Sequence, residues 1–281
     1  MIINGKKLNL NEPKVMSIVN LTPDSFYKTD KPLTPKKLLK KIEREINLGC
    51  LIFDLGAESS KPGSEPVGVD EELKRLIPSL RLIRNTFPEI FISIDTYRSE
   101  TALAASEFGA DIINDISAGS LDKKMISTVA QLKLPYIAMH MKGNPKNMQT
   151  KANYKNCAQE VLDFFEKKIK ECKNAGIKDI IIDPGFGFAK QLHHNYELLN
   201  ELDKLKKLKA PILVGLSRKS MIQRVLNCEA KEALNGTTAL NSIALLKGAS
   251  ILRVHDVKEA MEAVKLYNQL SSWPDYISSA G

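Results

Sequence analysis

Eight times along the chain a short apolar run ends in a polar or charged residue and hands over to a stretch of helical character. The runs are VMSIVN (15–20), LIFDLG (51–56), FISID (91–95), DIIND (111–115), PYIAMH (135–140), DIIID (179–183), PILVGLS (211–217) and ILRVH (251–255). Strands that read as continuous apolar runs are buried on both faces, as in a parallel sheet covered by helices. Eight strand–helix units therefore predict an α/β protein whose sheet closes into a (β/α)8 TIM barrel. In that architecture the strand C-termini and the loops after them build the site. The exits of these runs offer Asn20, Glu58, Asp95, Asn114, Asp115, His140, Asp183, Ser217, Lys219, Arg253 and His255. One mouth of the barrel is thus expected to gather carboxylates, amides and cations.

A chain of 281 residues suits one such barrel. The expected organisation is a single domain over residues 1–270. The remaining SSWPDYISSAG (271–281) has no apolar period and reads as a flexible tail. No run of about 18 apolar residues occurs, so no membrane partner is expected. The N-terminal MIINGKKLNLNEPKV lacks the apolar core of a secretory signal, which predicts a cytoplasmic protein. The formal charge of +8 raises the question of a nucleic acid. Only eight of the 41 basic residues are Arg, however, and the Lys residues mix with Glu or Asp in helical stretches such as KKLLKKIER (36–44) and LDKLKKLK (202–209). That pattern is a solvated face, and no nucleic-acid partner is expected. A basic mouth would still draw in anionic substrates. Cysteines 50, 157, 172 and 228 show no CxxC pair or zinc-finger spacing and read as buried reduced thiols.

Local signals fill in the frame. Asn4-Gly5 between two short alternating segments predicts a β-hairpin, placed at the closed end of the barrel and without chemistry. Thr34-Pro35 is a cap residue followed by Pro at the first helical position. The polar segments 20–35, with three prolines, and 56–72, with two prolines and three glycines, are expected to be mobile covering loops at the mouth; 139–154 is a third long loop. The longest helix is expected over about 154–174 and a closing helix over 257–270. Gly109, Gly176 and Gly248 fall where helices should end.

The chemistry begins with carboxylates at strand ends. Asp95 follows FISI and Asp183 follows DIII. Asp95 could instead cap the next helix; Pro184-Gly185 delays a helix after Asp183 and makes that role a poor fit there. Two buried carboxylates near Asn114 need donor-rich partners to offset desolvation, and a 2-amino-4-oxo heterocycle supplies them. Ser217 and Lys219 place a hydroxyl and an ammonium at the mouth, although the glycine spacing of a phosphate loop is absent. Arg253 and His255 lie two residues apart on one strand, so they point to the same side, and with Asn20 they suit an anion. His140 is open between a packing or orienting role and catalysis. Phe186 and Phe188 could stack on an aromatic ligand or belong to the core. No GxGxxG, HExxH or GxSxG motif supports a nicotinamide, zinc-protease or serine-hydrolase reading.

At these residues the chain resembles the dihydropteroate synthase family. The matching segments are SIVNLTPDSF, DLGAESSKPGSEPV, ISIDTYRSETA, GADIINDISAG, MHMKGNPKNMQ, IIDPGFGFAK, GLSRKSMI and RVHDV, in order over residues 17–257. The resemblance implies a (β/α)8 barrel, commonly a homodimer through helices of the later units. It implies a transferase of folate biosynthesis that joins 4-aminobenzoate to 6-hydroxymethyl-7,8-dihydropterin diphosphate, releasing pyrophosphate. By the same likeness Asp95, Asn114, Asp183 and Lys219 would hold the pterin. Arg253 would pack over it and, with His255 and Asn20, hold the diphosphate. Asn20 would also face a Mg²⁺ ion. Ser60, Lys61, Pro62, Phe188 and Ser217 would form the aminobenzoate pocket. Asp95, Lys219, Arg253 and His255 are the residues expected to act in catalysis. The chain departs from the family in two loops: Ser59-Ser60-Lys61-Pro62-Gly63 stands for the usual Ser-Thr-Arg-Pro-Gly, and Tyr27-Lys28-Thr29-Asp30 for a Ser-Asp-Gly-Gly. Lys keeps the charge of Arg but loses its planar fork, so sulfonamide binding is expected to weaken relative to aminobenzoate. Two rival readings are a methyltransferase acting on methyltetrahydrofolate, in which Lys219, Arg253 and His255 would have little purpose, and a non-catalytic pterin-binding or RNA-binding paralogue.

Overall fold

The eight apolar runs form one parallel ladder, and its side-chain alternation decides what the barrel encloses. The computed structural model describes residues 1–22, 34–58 and 67–272. A small hairpin, β1 (Ile2–Ile3) and β2 (Lys6–Lys7), precedes the barrel strands β3 (Lys14–Asn20), β4 (Ile52–Gly56), β5 (Phe91–Asp95), β6 (Ile112–Asp115), β7 (Tyr136–Met139), β8 (Ile180–Asp183), β9 (Leu213–Val214) and β10 (Ile251–Val254). The helices are α1 (Pro35–Asn47), α2 (Val69–Thr86), α3 (Ser99–Glu107), α4 (Met125–Leu132), α5 (Cys157–Ala175), α6 (Leu192–Asn200), α7 (Ser220–Leu226), α8 (Leu234–Leu246) and α9 (Val257–Ser271). The hydrogen-bonded order is β8-β7-β6-β5-β4-β3-β10-β9. A parallel bridge between Ile182 and Ile212 joins the two ends and closes the barrel.

Successive side chains of a strand point to opposite faces. One residue from each strand, Met16, Ile52, Phe91, Ile112, Ile137, Ile181, Leu213 and Ile251, forms an apolar cluster inside the barrel. Ile3 and Leu8 from the hairpin region join it, so the hairpin is a plug. Asn4 and Gly5 take the positive φ values of 49° and 79° that its tight turn requires. Asn4 Nδ2 and Lys6 Nζ donate to the buried carboxylate of Asp111, which also accepts from Arg84 and from the Ile92 amide. Two residues farther along each strand the same alternation points Ile18, Asp54, Ser93, Asn114, Met139, Asp183, Gly215 and Arg253 inward. The floor is apolar and the next layer is mostly polar. The opposite faces, with Val15, Phe53, Ile92, Ile113, Tyr136, Ile182, Val214 and Leu252, pack against the helices in a second, larger core.

Several expected boundaries shift, for physical reasons. β9 is two residues long, because the chain beyond Val214 leaves the ladder for a turn in which the Lys219 amide donates to Leu216 O and Arg218 adopts φ 55°. α5 starts at Cys157, where Asn156 caps it by accepting from the Gln159 amide; Tyr154 stays outside the helix. Residues 202–208 wind as a 3₁₀ segment with Leu202 and Leu205 buried. Thr34 caps α1 with Pro35 at its start, and Gly176 caps α5 at φ 103°. Cys50, Cys157 and Cys172 are buried free thiols, but Cys228 is half-buried. α9 runs through Ser271; residues 273–281 of the expected tail lie outside the described residues. No helix of the described residues is long and apolar enough to cross a membrane.

The plug makes a stability prediction. Ile3→Ala should lower the unfolding free energy by about 2–5 kcal/mol, the range for an aliphatic side chain deleted from a packed core. Substrate affinity at the far end of the barrel should be unchanged. Urea denaturation and calorimetry check both halves.

Candidate active site

Asp54 organises the polar layer. It is fully buried in the middle of β4, and its Oδ2 accepts from Asn114 Nδ2 at 3.0 Å and from Arg253 Nε at 2.6 Å. Arg253 reaches on with its second arm to Asp95 Oδ2 at 2.7 Å. One guanidinium thus spans two carboxylates from neighbouring strands. Asp54 Oδ1 and the nearby Ser93 Oγ have no hydrogen-bond partner among the described residues. Buried polar atoms in that state are costly unless water or a ligand meets them.

The electrostatics follow from burial and from this pairing. Burial pushes the Asp95 carboxyl up to about 7; Arg253 pulls it back, and Asp54 and Glu72 push it further up. Burial acts against the charge on Arg253, but Asp54 and Asp95 more than offset it and hold the guanidinium charged. Asp183, at the end of β8, is also raised by burial and opposed chiefly by Lys219. Its Oδ1 accepts from the Gly185 amide at 2.7 Å, so Asp183 shapes its own loop and caps no helix. Burial lowers Lys219 to about 8, with Asp183 holding it up. The Lys219 ammonium donates to Phe186 O and stands 5.0 Å over the ring of Phe188.

Ser217 and His255 meet at the rim. Ser217 Oγ accepts from the His255 amide at 3.2 Å and lies 3.0 Å from His255 Nδ1. With the hydroxyl proton on that contact, Nδ1 accepts and Nε2–H is left to donate to a ligand. His255 is exposed at the rim, yet desolvation of its ring and the adjacent Arg253 push it down to about 4, so the ring is neutral near pH 7. Asn20 ends β3, and its register partner Gly56 pairs in turn with Asp95. A Cβ on Gly56 would lie 3.6 Å from Asp95 Oδ2 and 3.9 Å from Asn20 Oδ1, so the bare backbone there keeps the amide and the carboxylate on one wall.

The structure therefore brings Asp95, Asn114, Asp183, Lys219, Arg253, Ser217, His255, Phe188 and Asn20 to one mouth. Ser60, Lys61 and Pro62, and the departures at 27–30, lie outside the described residues. Three expected members of the ring, Glu58, Asp115 and His140, do other work; Glu58 accepts from Tyr97 Oη and from Arg98. Asp115 accepts from the Ser117 amide and hydroxyl, the Gly119 amide and Tyr136 Oη, and so builds the loop after β6. His140 is buried, lies edge-on to Phe164 and contacts Lys190 Nζ through Nδ1 at 3.0 Å, the surroundings of a packing and orienting residue. Phe186 is core, and only its carbonyl serves the mouth.

Three residues escaped the sequence reading. Asp54 was legible as one charge in the middle of an apolar run, IFDLG. Arg98 ties loop bases together: it donates to Glu58 Oε2, to Glu72 Oε2 at 2.7 Å, to Val67 O and to Tyr97 Oη. Nothing in its local sequence marks that role. Lys190 is buried beneath the loop after β8. Arg218 is likewise structural, forming a bidentate pair with Asp256 at 2.7 Å that holds the turn between Ser217 and Lys219.

Comparison with known proteins agrees with this geometry. Residues 16–255 match the pterin binding enzyme family. The chain is 42% identical over 268 residues to the dihydropteroate synthase of Escherichia coli strain K12, covering 95% of this chain and 94% of that protein. The dihydropteroate synthase of Yersinia pestis, solved with a sulfonamide drug complex, superposes with a TM-score of 0.91 at 37% identity over 97% of this chain and 99% of that one. The Thermus thermophilus enzyme in complex with 4-aminobenzoate superposes at 0.85, with 34% identity over 95% and 98% of the two chains.

Asp54→Asn tests the organisation of the layer. Arg253 keeps only Asp95, and the loss should be about 1–3 kcal/mol of unfolding free energy. The titration midpoint of Asp95 should move down from about 7, because the carboxylate that pushes it up is gone. Carboxyl-carbon NMR across pH measures that midpoint, and an unchanged value contradicts the assignment.

Proposed function

The chain belongs to the dihydropteroate synthase family, and we propose on that premise that it joins 4-aminobenzoate to 6-hydroxymethyl-7,8-dihydropterin diphosphate, giving 7,8-dihydropteroate and pyrophosphate. The observation that carries the assignment to these residues is the buried layer in which Asp54, Asp95 and Asp183 face the cations Arg253 and Lys219 at one mouth. Asp95, Asp183 and Asn114 need the donors of a 2-amino-4-oxo heterocycle. Lys219 donates to its carbonyl oxygen. Arg253 passes from Asp95 to the ligand, packs over the ring and meets the diphosphate together with neutral His255 through Nε2–H. Phe188, Ser217 and the segment with Ser60, Lys61 and Pro62 receive the aminobenzoate.

The chemistry asks for no protein nucleophile. The bond between the methylene carbon and the diphosphate oxygen breaks with its electron pair going to the leaving group. The amine nitrogen then bonds to the carbon and loses a proton. Asp95 stabilises the positive charge that develops on the pterin, and Arg253 and His255 the negative charge that departs, as preorganised groups. Exclusion of water from the mouth protects the electrophilic carbon.

Among the described residues no cluster of three acidic, His or Cys side chains could hold a metal. Mg²⁺ needs no such cage: it takes one or two protein oxygens and completes its shell with phosphates and water. The Asn20 amide oxygen beside Asp95 fits that limited demand. When bound, the ion supplies charge neutralisation to the leaving diphosphate. We place the reaction in one barrel domain over residues 1–270 in the cytoplasm, a setting supported by four free cysteines. A homodimer is supported by the exposed apolar side chains Val225, Leu226, Ile243 and Leu246 on α7 and α8.

Pyrophosphate release from the pterin diphosphate, followed with and without aminobenzoate, tests the activity. Amine-dependent release is expected, and tight pterin binding with no release contradicts it. Asp183→Asn should weaken pterin binding by roughly 2–5 kcal/mol if a buried charged partner is lost, as calorimetry will read. The pH dependence of pterin affinity has a definite sign. The donor edge needs Asp95 ionised, so affinity climbs as pH rises through about 7. Its carbonyl needs Lys219 protonated, so affinity falls as pH rises through about 8. Calorimetry from pH 6 to 9 should find its maximum between these values.

A further inference from the structure

Lys190 is a buried cation that the reaction does not use. Its side chain lies in a fully enclosed space behind the loop that joins β8 to α6, and its residue is only 3% exposed. An ammonium has three protons to place. Lys190 places one on Gly185 O at 3.0 Å, one on Phe188 O at 3.1 Å and one on His140 Nδ1 at 3.0 Å. The set is complete. Gly185 and Phe188 bracket Phe186, whose carbonyl accepts from Lys219, and Phe188 lies under the Lys219 ammonium. The loop's other ties are Asp183 Oδ1, which accepts from the Gly185 amide, Asn195, which accepts from the Gly187 amide and donates to Lys190 O, Gln149 Nε2, which donates to Gly187 O, and the Phe188 amide, which donates to Gly185 O. Gly185 takes φ 71°, and a Cβ there would fall 2.1 Å from His140 O, so the chain presses against β7 where Lys190 holds it.

We propose that Lys190 is a positioning residue, a charged staple that folds residues 184–190 into the shape that presents Phe188 to the amine substrate and the Phe186 carbonyl to Lys219. This rests on the functional reading above. With its third proton Lys190 serves all three acceptors; as a neutral amine it keeps two N–H donors for Gly185 O and Phe188 O and loses its charge and its donation to His140 Nδ1. Burial lowers Lys190 to about 7; Cys157 and Asp183 hold it up, while Lys219 and Lys142 press it down. The other groups that face it are His140 from the end of β7, itself kept neutral by burial and by Lys190, the ring of Tyr154 at 6.0 Å, and His194 from α6. Near neutral pH the loop's anchor therefore loses its charge and its third donor as pH rises, which should weaken the wall that Phe188 forms without releasing it.

The test is Lys190→Met, which keeps length and removes the donors, compared with the wild type at pH 6.5 and 8.5. At pH 6.5 the KM for 4-aminobenzoate should rise roughly tenfold, the scale of one lost charge-assisted hydrogen bond, with a smaller change in kcat. At pH 8.5 the ratio of variant to wild-type KM should be smaller but still above one, because the neutral amine keeps two of its three donors; titrations of Asp95 and Lys219 cancel in that ratio. A ratio near one at pH 6.5, or one no smaller at pH 8.5 than at pH 6.5, overturns the proposal. If Lys190→Met does not fold, Lys190→Gln, with two amide protons in place of three, should show the same pattern with smaller amplitude. Hydrogen exchange at the Phe188 amide reads the loop without substrate: faster exchange in the variant at pH 6.5 is expected, and equal exchange overturns the staple. Absence of amine-dependent pyrophosphate release from the wild type would sink the functional reading instead, and the exchange experiment would still decide the role of Lys190.

Discussion

A single guanidinium shared by two carboxylates holds the working end of this barrel together. Asp54 is completely enclosed, and an isolated ionised carboxylate in that position would be strongly destabilising. Arg253 at 2.6 Å supplies the opposite charge, and the same side chain continues to Asp95. Asn114 is tied to Asp54 as well, so strands β4, β5, β6 and β10 register their polar residues on one centre. Removing Arg253 leaves both carboxylates without their shared cation, and removing Asp54 leaves the guanidinium on Asp95 alone, which is why the layer acts as a unit. The arrangement is short of hydrogen bonds: Asp54 Oδ1 and Ser93 Oγ lack partners among the described residues. A layer with two carboxylates to one guanidinium and few donors is suited to a heterocycle that brings its own.

The two ends of the barrel divide the labour. At the closed end, eight inward side chains and the hairpin pack as hydrocarbon, and the polar groups there, Asp111 with Asn4, Lys6 and Arg84, satisfy one another. At the open end, buried charge is paired only as far as the ligand-free fold needs. The departures from ordinary titration at Asp95, Lys219 and His255 are concentrated there. Rigid strands supply the positions and irregular loops supply the variable contacts, as expected of a scaffold that separates stability from chemistry.

Much of this was legible because strand alternation is a strict rule. Arg253 and His255 are two residues apart, and they do share a side; Asp95 and Asp183 end apolar runs and do reach the mouth. Asp54 obeys the same rule, two residues after Ile52, but it sits inside a run and not at its exit, so attention to exits passes over it. Arg98 and Lys190 are a different matter. Their roles depend on carbonyls and carboxylates brought in from other loops, and no local pattern encodes a partner that arrives by tertiary folding. The shortness of β9 was hidden for a similar reason, since the Arg218–Asp256 pair that bends the chain joins positions 38 residues apart. The hairpin, by contrast, was fully local: Asn-Gly prescribes its own turn.

A crystal structure of the protein with 6-hydroxymethyl-7,8-dihydropterin diphosphate examines the shared centre directly. The account predicts the ring lying between Asn114, Asp183 and Lys219 at hydrogen-bonding distance, with Arg253 turned from Asp95 toward the ligand and still held by Asp54. A pterin bound elsewhere, or one seated there with both Arg253 contacts intact, contradicts it.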